Sequence, residues 1–205
     1  MGVVIVALGI GAGVVWGPAT GVVAAVLVGG LGLSWERVQG RLALRSFRAR
    51  RLNATEHPRV VNLLNGVASD TGAETPRAYV LDGGGPNALV CRAAGPTLAL
   101  SASLLESYTR TELEAVIAHC IVRLRDGATR GAGRWCAFGA LGGAGTTVGV
   151  PEDAAAAELT RYPPALASAI RKAEPRRGRF SPLFLVADHP SHEAPEARVR
   201  ALEEL

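Results

Sequence analysis

Thr109-Arg110-Thr111-Glu112-Leu113-Glu114-Ala115-Val116-Ile117-Ala118-His119-Cys120-Ile121-Val122-Arg123 is the stretch on which the reading of this chain turns. Thr109 and Glu112 stand three residues apart, the spacing at which a hydroxyl and a carboxylate satisfy each other's backbone amides at a helix start. Leu113, Val116, Ile117, Cys120, Ile121 and Leu124 then recur at intervals of three and four, which is one apolar stripe of a helix closing near Asp126-Gly127. His119 lies on the flank of that stripe. Residues 119 and 123, four apart, share a helix face and could address a common point in space.

Upstream, Thr55 is placed to cap a helix running from Glu56 to about Ser69, with Val60, Val61, Leu63, Leu64, Val67 and Ala68 as its apolar face. Three short strand-like stretches follow at 77–81, 88–91 and 97–101, separated by Gly- and Pro-rich turns, and they predict a small antiparallel sheet. Downstream, residues 135–150 are apolar and Gly-rich but too short for a membrane span. Helices are expected from Glu152 to Leu159, from Ala165 to Lys172 and from Glu196 to Leu205. Arg176, Arg177 and Arg179 read as a solvated loop, as do His189 and His192, and His57 as a first-turn helix residue.

From Val3 to Leu33 no charged residue occurs. As one helix this run would extend about 46 Å at ~1.5 Å per residue, longer than a ~30 Å hydrocarbon layer requires. A break at Trp16-Gly17-Pro18 is therefore expected, giving either one tilted transmembrane segment or a helical hairpin. No basic region precedes the run, which argues for a retained membrane anchor over a cleaved leader. Arg37, Arg41, Arg45 and Arg48 follow at spacings of four, four and three, a basic stripe along a juxtamembrane helix. By the positive-inside rule they place the remaining chain in the cytoplasm, facing the lipids of the cell membrane. The expected organisation is thus a membrane anchor over 1–34, a basic juxtamembrane helix over 35–51 and one α+β, mostly helical domain over 52–205.

Composition excludes some classes. The net charge of +4 is carried almost wholly by Arg, with Lys172 the only Lys, which favours contact with anionic groups. No nucleic-acid-binding motif accompanies it. Cys91, Cys120 and Cys136 are odd in number and irregular in spacing, so neither a disulfide scaffold nor a zinc ribbon is indicated, and all three are read as buried thiols.

Several stretches, in this order, resemble the HtpX-like membrane metallopeptidases, family forty-eight of that class, bacterial enzymes of gluzincin-like fold. Residues 52–60, reading LNATEHPRV, resemble the family's entry to its first helix, and Pro86-Asn87-Ala88-Leu89 resembles its substrate-edge motif PNAFA. Residues 98–105 resemble its strand and GLL turn. Residues 111–119, TELEAVIAH, resemble DELAAVLAHE. Residues 159–166 follow the segment after the last ligand of some members, and residues 192–202, with Arg198, track the C-terminal HPPLEERIARL.

The resemblance implies peptide hydrolysis by zinc held on H-E-x-x-H and a downstream Glu, with the motif's own Glu activating water. Here the motif reads His119-Cys120-Ile121-Val122-Arg123. Only the first histidine is retained. Cys120 stands at the general-base position, where a thiol cannot shuttle protons as a carboxylate does. Arg123, at the second ligand position, is a permanent cation without a lone pair. Aligning Asp153 with the Asp of E-x-x-A-D puts Gly149 at the third ligand position and Glu152 where Ala is usual. Asn87 would hold substrate at a sheet edge, and Arg198 with Asp153 would be structural. These departures predict a catalytically degenerate relative without zinc that keeps a polypeptide- or partner-binding role. The alternatives are a metal site rebuilt around His119, Cys120, Glu152 or Asp153, with His189 or His192; an active zinc endopeptidase; and a protein binding anionic lipids through its Arg stripe.

Overall fold

The structure, a computed structural model, describes residues 18–127, 129, 131–133, 136 and 148–205. The start of the apolar run, with the break expected at Trp16-Gly17, and the body of the 135–150 segment lie outside the described residues. The first helix, α1 (Pro18–Ser46), joins the rest of that run to the Arg-rich stretch without interruption. Among the described residues no helix is long and apolar enough to cross a membrane.

The juxtamembrane helix ends earlier than expected. Arg48 adopts the left-handed conformation (φ 48°) and the Ala49 amide donates back to Leu44 O at 2.8 Å, which closes α1 in a Schellman-type turn. Arg50–Arg51 then form strand β1 rather than a last helical turn. Arg37, Arg41 and Arg45 are exposed on α1, and Arg48 is exposed beyond its end. The opposite side of α1 packs on the sheet through Gly40, Ala43 and Leu44. A Cβ on Gly40 would stand 3.1 Å from the backbone of Arg92 and Ala93, so glycine permits this approach.

After β1 come α2 (Pro58–Thr71), β2 (Arg77–Leu81), β3 (Ala88–Arg92), β4 (Pro96–Ser101) and a short α3 (Ala102–Ser107). Thr55 does not cap α2. Its hydroxyl donates to Asn53, the helix opens at Pro58 with His57 at the capping position, and proline's fixed φ takes over the task of starting the turn. Gly72 ends α2 in the left-handed conformation.

The sheet is four-stranded in the order β1-β2-β4-β3, and it is mixed rather than antiparallel. β3 and β4 form a hairpin with Leu89 opposite Ala99, whereas β2 and β4 run parallel with Tyr79 opposite Ala99. The cause is the connection after β2. Residues 82–87 are too many for a tight hairpin and long enough to cross two strand spacings, about 9.5 Å, which leaves a slot that β4 fills. β3 is thereby an edge strand.

The helix α4 (Arg110–Arg125) lies at the centre, packed against α2, β3, α5 (Val150–Thr160) and α6 (Pro163–Lys172), with α7 (Pro195–Glu203) closing over α5 and α6. Its capping box is present, with Thr109 N donating to Glu112 at 2.8 Å and Glu112 N to Thr109 Oγ1 at 3.3 Å. From Glu112 to Leu124 only Glu114 escapes burial, so α4 is enclosed on all sides and not along one stripe. One apolar cluster fills the space between α2, α4, α6 and the inner sheet face, and a second, between the outer face and α1, gathers Leu81, Leu89, Ala99 and Phe184.

Candidate functional site

Enclosure of α4 carries its polar residues inside. His119, Arg123 and Arg198 are each 0% exposed and Asp153 1%. Asp153, on the first turn of α5, is the hub. Its carboxylate takes a bidentate contact from Arg198, Nε to Oδ2 at 2.6 Å and Nη2 to Oδ1 at 2.8 Å, and lies 2.9 Å from His119 Nδ1. That last contact is close but poorly aligned as a hydrogen bond, and it orients the ring chiefly by charge. Arg198 Nη1 donates onward to Leu185 O at 2.7 Å, tying α7 to the segment before it.

Arg123 reaches the same segment from the other side. Its Nη1 donates to Phe184 O at 2.8 Å and its Nη2 to Pro182 O at 3.0 Å. Phe184 O also lies 2.9 Å from His192 Nε2, which makes that nitrogen the protonated one, because a carbonyl offers only lone pairs. Among the described residues, His119 Nε2 and Arg123 Nε have no hydrogen-bond partner.

Electrostatics keep the two imidazoles neutral. Burial pulls the His119 pKa down to about 4, against the opposing attraction of Asp153 and together with the Arg198 and Arg123 charges. His192 is pushed to about 3 by burial and then by Arg123. Asp153 is held well below the usual carboxylate range: burial would raise it, but the two bonds from Arg198 and the close contact with His119 outweigh that. Burial lowers Arg123 to about 10, so it remains a cation at neutral pH. The Cys120 thiol, in the apolar cluster, is pushed up to about 12 by burial and stays protonated.

The zinc that the resemblance implies does not fit these residues. His119 Nε2 carries a lone pair, yet one turn further along α4 the guanidinium of Arg123 stands where a second imidazole is needed, already bonded to two carbonyls. Gly149 offers no donor, and a Cβ there would run into the Glu193 carboxylate. Glu152 is occupied at the start of α5, accepting from Gly149 N at 3.1 Å. Among the described residues no three His, Cys, Asp or Glu side chains converge on one point to hold a metal ion.

The structure therefore brings together His119, Arg123, Asp153 and Arg198, and leaves Cys120 in the core. Asn87 sits at the start of the edge strand, fully buried, and its amide is taken up by its own chain: Nδ2 donates to Glu174 O at 2.7 Å and to Val186 O at 2.8 Å. Two expectations are corrected. His192 is not a solvated loop residue, because the turn at Pro190-Ser191 folds it back onto Phe184 O. Arg176 is likewise engaged, half-buried over the Phe184 ring, whereas Arg177 and Arg179 are exposed as the solvated reading has it, the first paired with Asp188 at 2.7 Å and the second donating to Cys136 O at 2.8 Å and Gln39 at 3.1 Å. The carbonyls of Pro182, Phe184 and Leu185 carry no sequence signal at all. The histidine pair flanking a two-residue turn was the one available hint to His192.

No protein-family model matches the chain. Part of it is similar to curated relatives named protease HtpX homolog. The protein from Dictyoglomus turgidum is 33% identical over 73 residues, covering 35% of this chain and 24% of that protein. That from Tropheryma whipplei is 34% identical over 85 residues (39% and 28%), and that from Acidiphilium cryptum 32% over 90 residues (43% and 31%). The matched stretch thus spans less than a third of each relative's length. Over that stretch the similarity supports an HtpX-like family relationship.

Proposed function

We propose that this is a catalytically degenerate, metallopeptidase-like protein of the HtpX type that is anchored in the cell membrane with its folded domain in the cytoplasm, and that it binds polypeptide or a protein partner without cleaving it. The observation that carries the reading is the buried Arg123 guanidinium, bonded to Phe184 O and Pro182 O in the place where the resemblance requires a metal-ligating imidazole. Gly149 at the third ligand position and the protonated thiol of Cys120 support it. Membrane anchorage is supported by the uncharged run from Val3 to Leu33 and by the resemblance.

The first experiment is elemental analysis of the full chain purified in mild detergent, beside the Arg123→His/Gly149→Glu double variant and His119→Ala. The expected result is no stoichiometric zinc in the native chain and zinc in the double variant, which restores three ligands around His119 as the flexible Glu193 carboxylate swings away from the new side chain at position 149. Zinc in the native chain that disappears in His119→Ala, with casein hydrolysis that disappears alongside it, would instead make this a working endopeptidase. A second reading, recognition of anionic lipid, is favoured by the exposure of Arg37, Arg41, Arg45 and Arg48. Replacing all four by Gln should then weaken binding of the chain to vesicles containing phosphatidylserine, and unchanged binding would remove that reading.

A further inference from the structure

Between α2 and the first turns of α4 a surface groove of about 510 Å³ runs over the buried Leu63 and Val67. Arg59 Nη2 donates to Tyr108 O at 2.8 Å, so the N-terminal ends of the two helices meet at one end of it. Arg59 and Arg110 stand at that end. Asp70 stands at the other, about 16 Å further along α2 at ~1.5 Å per residue, and Glu114 lies one turn into α4. The groove is therefore cationic at one end and anionic at the other. Among the described residues the side chains of Asp70, Arg110 and Glu114 have no hydrogen-bond or ion-pair partner.

Three residues of this face work against the helices that carry them. Gly66 sits inside α2, where glycine weakens a helix, yet a Cβ there would meet nothing within 4 Å, so its own fold does not require the missing side chain. Arg110 is the first residue of α4 and Asp70 the last but one of α2, and each thus stands at the helix end where the backbone dipole disfavours its charge. Within one copy nothing offsets these choices. A helix entering the groove from outside does: it needs the space at Gly66, and it can set an opposite charge against each misplaced one. The face is also complementary to itself. Turned about a two-fold axis near the middle of α2, a second copy lays its own α2 antiparallel in the groove, which puts Arg110 opposite the partner's Asp70 and Glu114 toward the partner's Arg59. A parallel arrangement would set like charges together.

We propose that the groove between α2 and α4 is a homodimer face, in which α2 of a second copy lies antiparallel across Gly66 and is held by reciprocal ion pairs between Arg110 and the partner's Asp70. None of the residues lining it belongs to the cluster of His119, Arg123, Asp153 and Arg198, so the face does not depend on what that cluster binds.

The test is Förster transfer between donor- and acceptor-labelled copies of the full chain in mild detergent, with empty micelles in excess. The native chain should show transfer that rises with concentration. Asp70→Arg and Arg110→Glu should each weaken self-association at least about tenfold, the low end of what a close charge pair contributes across an interface. Both substitutions suit the helix ends they occupy, so folding is kept. Donor-labelled Asp70→Arg mixed with acceptor-labelled Arg110→Glu should regain native transfer, because each contact between positions 110 and 70 in the mixed dimer again joins opposite charges. Gly66→Leu should abolish transfer while resisting urea at least as well as the native chain, since the new side chain meets open space in one copy and a helix in two. A native chain without transfer at about 100 μM, where an interface with a Kd of ~1 μM would be nearly full, would overturn the second copy as occupant. Transfer unchanged by Gly66→Leu and by both charge variants would place the contact on another face and overturn the proposal. Charge variants that weaken singly and do not recover together would overturn the antiparallel pairing, and this arm decides the matter even if Gly66→Leu fails to fold.

Discussion

Each end of α4 organises a buried carboxylate among basic partners, and the two arrangements are built in opposite ways. At the N-terminal end Glu112 accepts from Thr109 N at 2.8 Å, from Ser168 Oγ at 2.5 Å and from Lys172 Nζ at 2.7 Å. The Lys172 side chain keeps 42% of its surface in water. Burial would raise the Glu112 pKa, but these bonds outweigh it and bring it to about 2. At the other end Asp153 is enclosed with Arg198 and His119, neither of which touches solvent. The first network is local, wet at its rim and satisfied. The second is dry, joins α4, α5, α7 and residues 182–185, and among the described residues leaves His119 Nδ1, His119 Nε2 and Arg123 Nε without a hydrogen-bond partner. A carboxylate near a helix end can thus be a cap or the keystone of a tertiary junction, and what separates them is whether the cation opposite can reach water.

The contrast is tested most severely by Arg198→Met. Removing one partner of a buried pair strands the other, at a cost of about 3–5 kcal/mol. Urea unfolding at pH 7 should show a loss of that size. The deficit should narrow below pH 5, because without Arg198 the Asp153 charge favours protonated His119 as its replacement partner. A loss that does not change with pH would mean that His119 and Asp153 are not coupled.

Next in size is the acid response of the native chain. His119 has a folded pKa of about 4 against an ordinary 6.5, so between those values the unfolded state binds more protons and stability falls as pH drops. The full effect of that one group is about 3 kcal/mol, at about 1.4 kcal/mol per pH unit. His192 acts in the same direction down to about 3. Glu112 and Asp153 have lowered pKa values, so their contributions are complete above the ordinary carboxylate range and are lost only below it. Loss in mild acid, between pH 6.5 and 4.5, is therefore a histidine effect, and His119→Gln should flatten that part of the profile whatever it does to stability at pH 7. An unchanged slope in the variant would move the effect to His192.

The two ends also differ in how far they could be read from sequence. The capping box, the boundaries of the helices after residue 150 and the three strand positions follow from local rules, and the structure has them within a few residues. Thr55 failed as a cap because Pro58 sets the helix start without it. The parallel β2–β4 pairing was missed because strand patterning fixes which residues alternate and says nothing of which neighbour fills a slot. Around α4 the apolar stripe was legible but its consequence was understated: the sequence shows His119 and Arg123 off the stripe, whereas packing by α5 and residues 182–185 encloses that side as well. The partners of Arg123 are two backbone carbonyls about sixty residues away, and backbone groups are the same in every sequence.

The smallest expected effect lies at the wet end. Thr109→Ala removes the oxygen that accepts from Glu112 N, a bond already long at 3.3 Å, and should lower stability by about 1 kcal/mol, the ordinary value of a helix cap. Glu112 keeps Thr109 N, Ser168 and Lys172, so no charge is stranded and the urea dependence of unfolding should keep its slope. The loss should also be constant from pH 5 to 8, since Glu112 stays ionised throughout. A loss near that of Arg198→Met would mean that the cap is coupled through Lys172 and Ser168 to the packing of α6, and that the partition between a local end and a tertiary end fails. A loss near 1 kcal/mol beside about 3–5 kcal/mol at the other end would fix the partition quantitatively on one helix, with solvent access to the opposing cation as its cause.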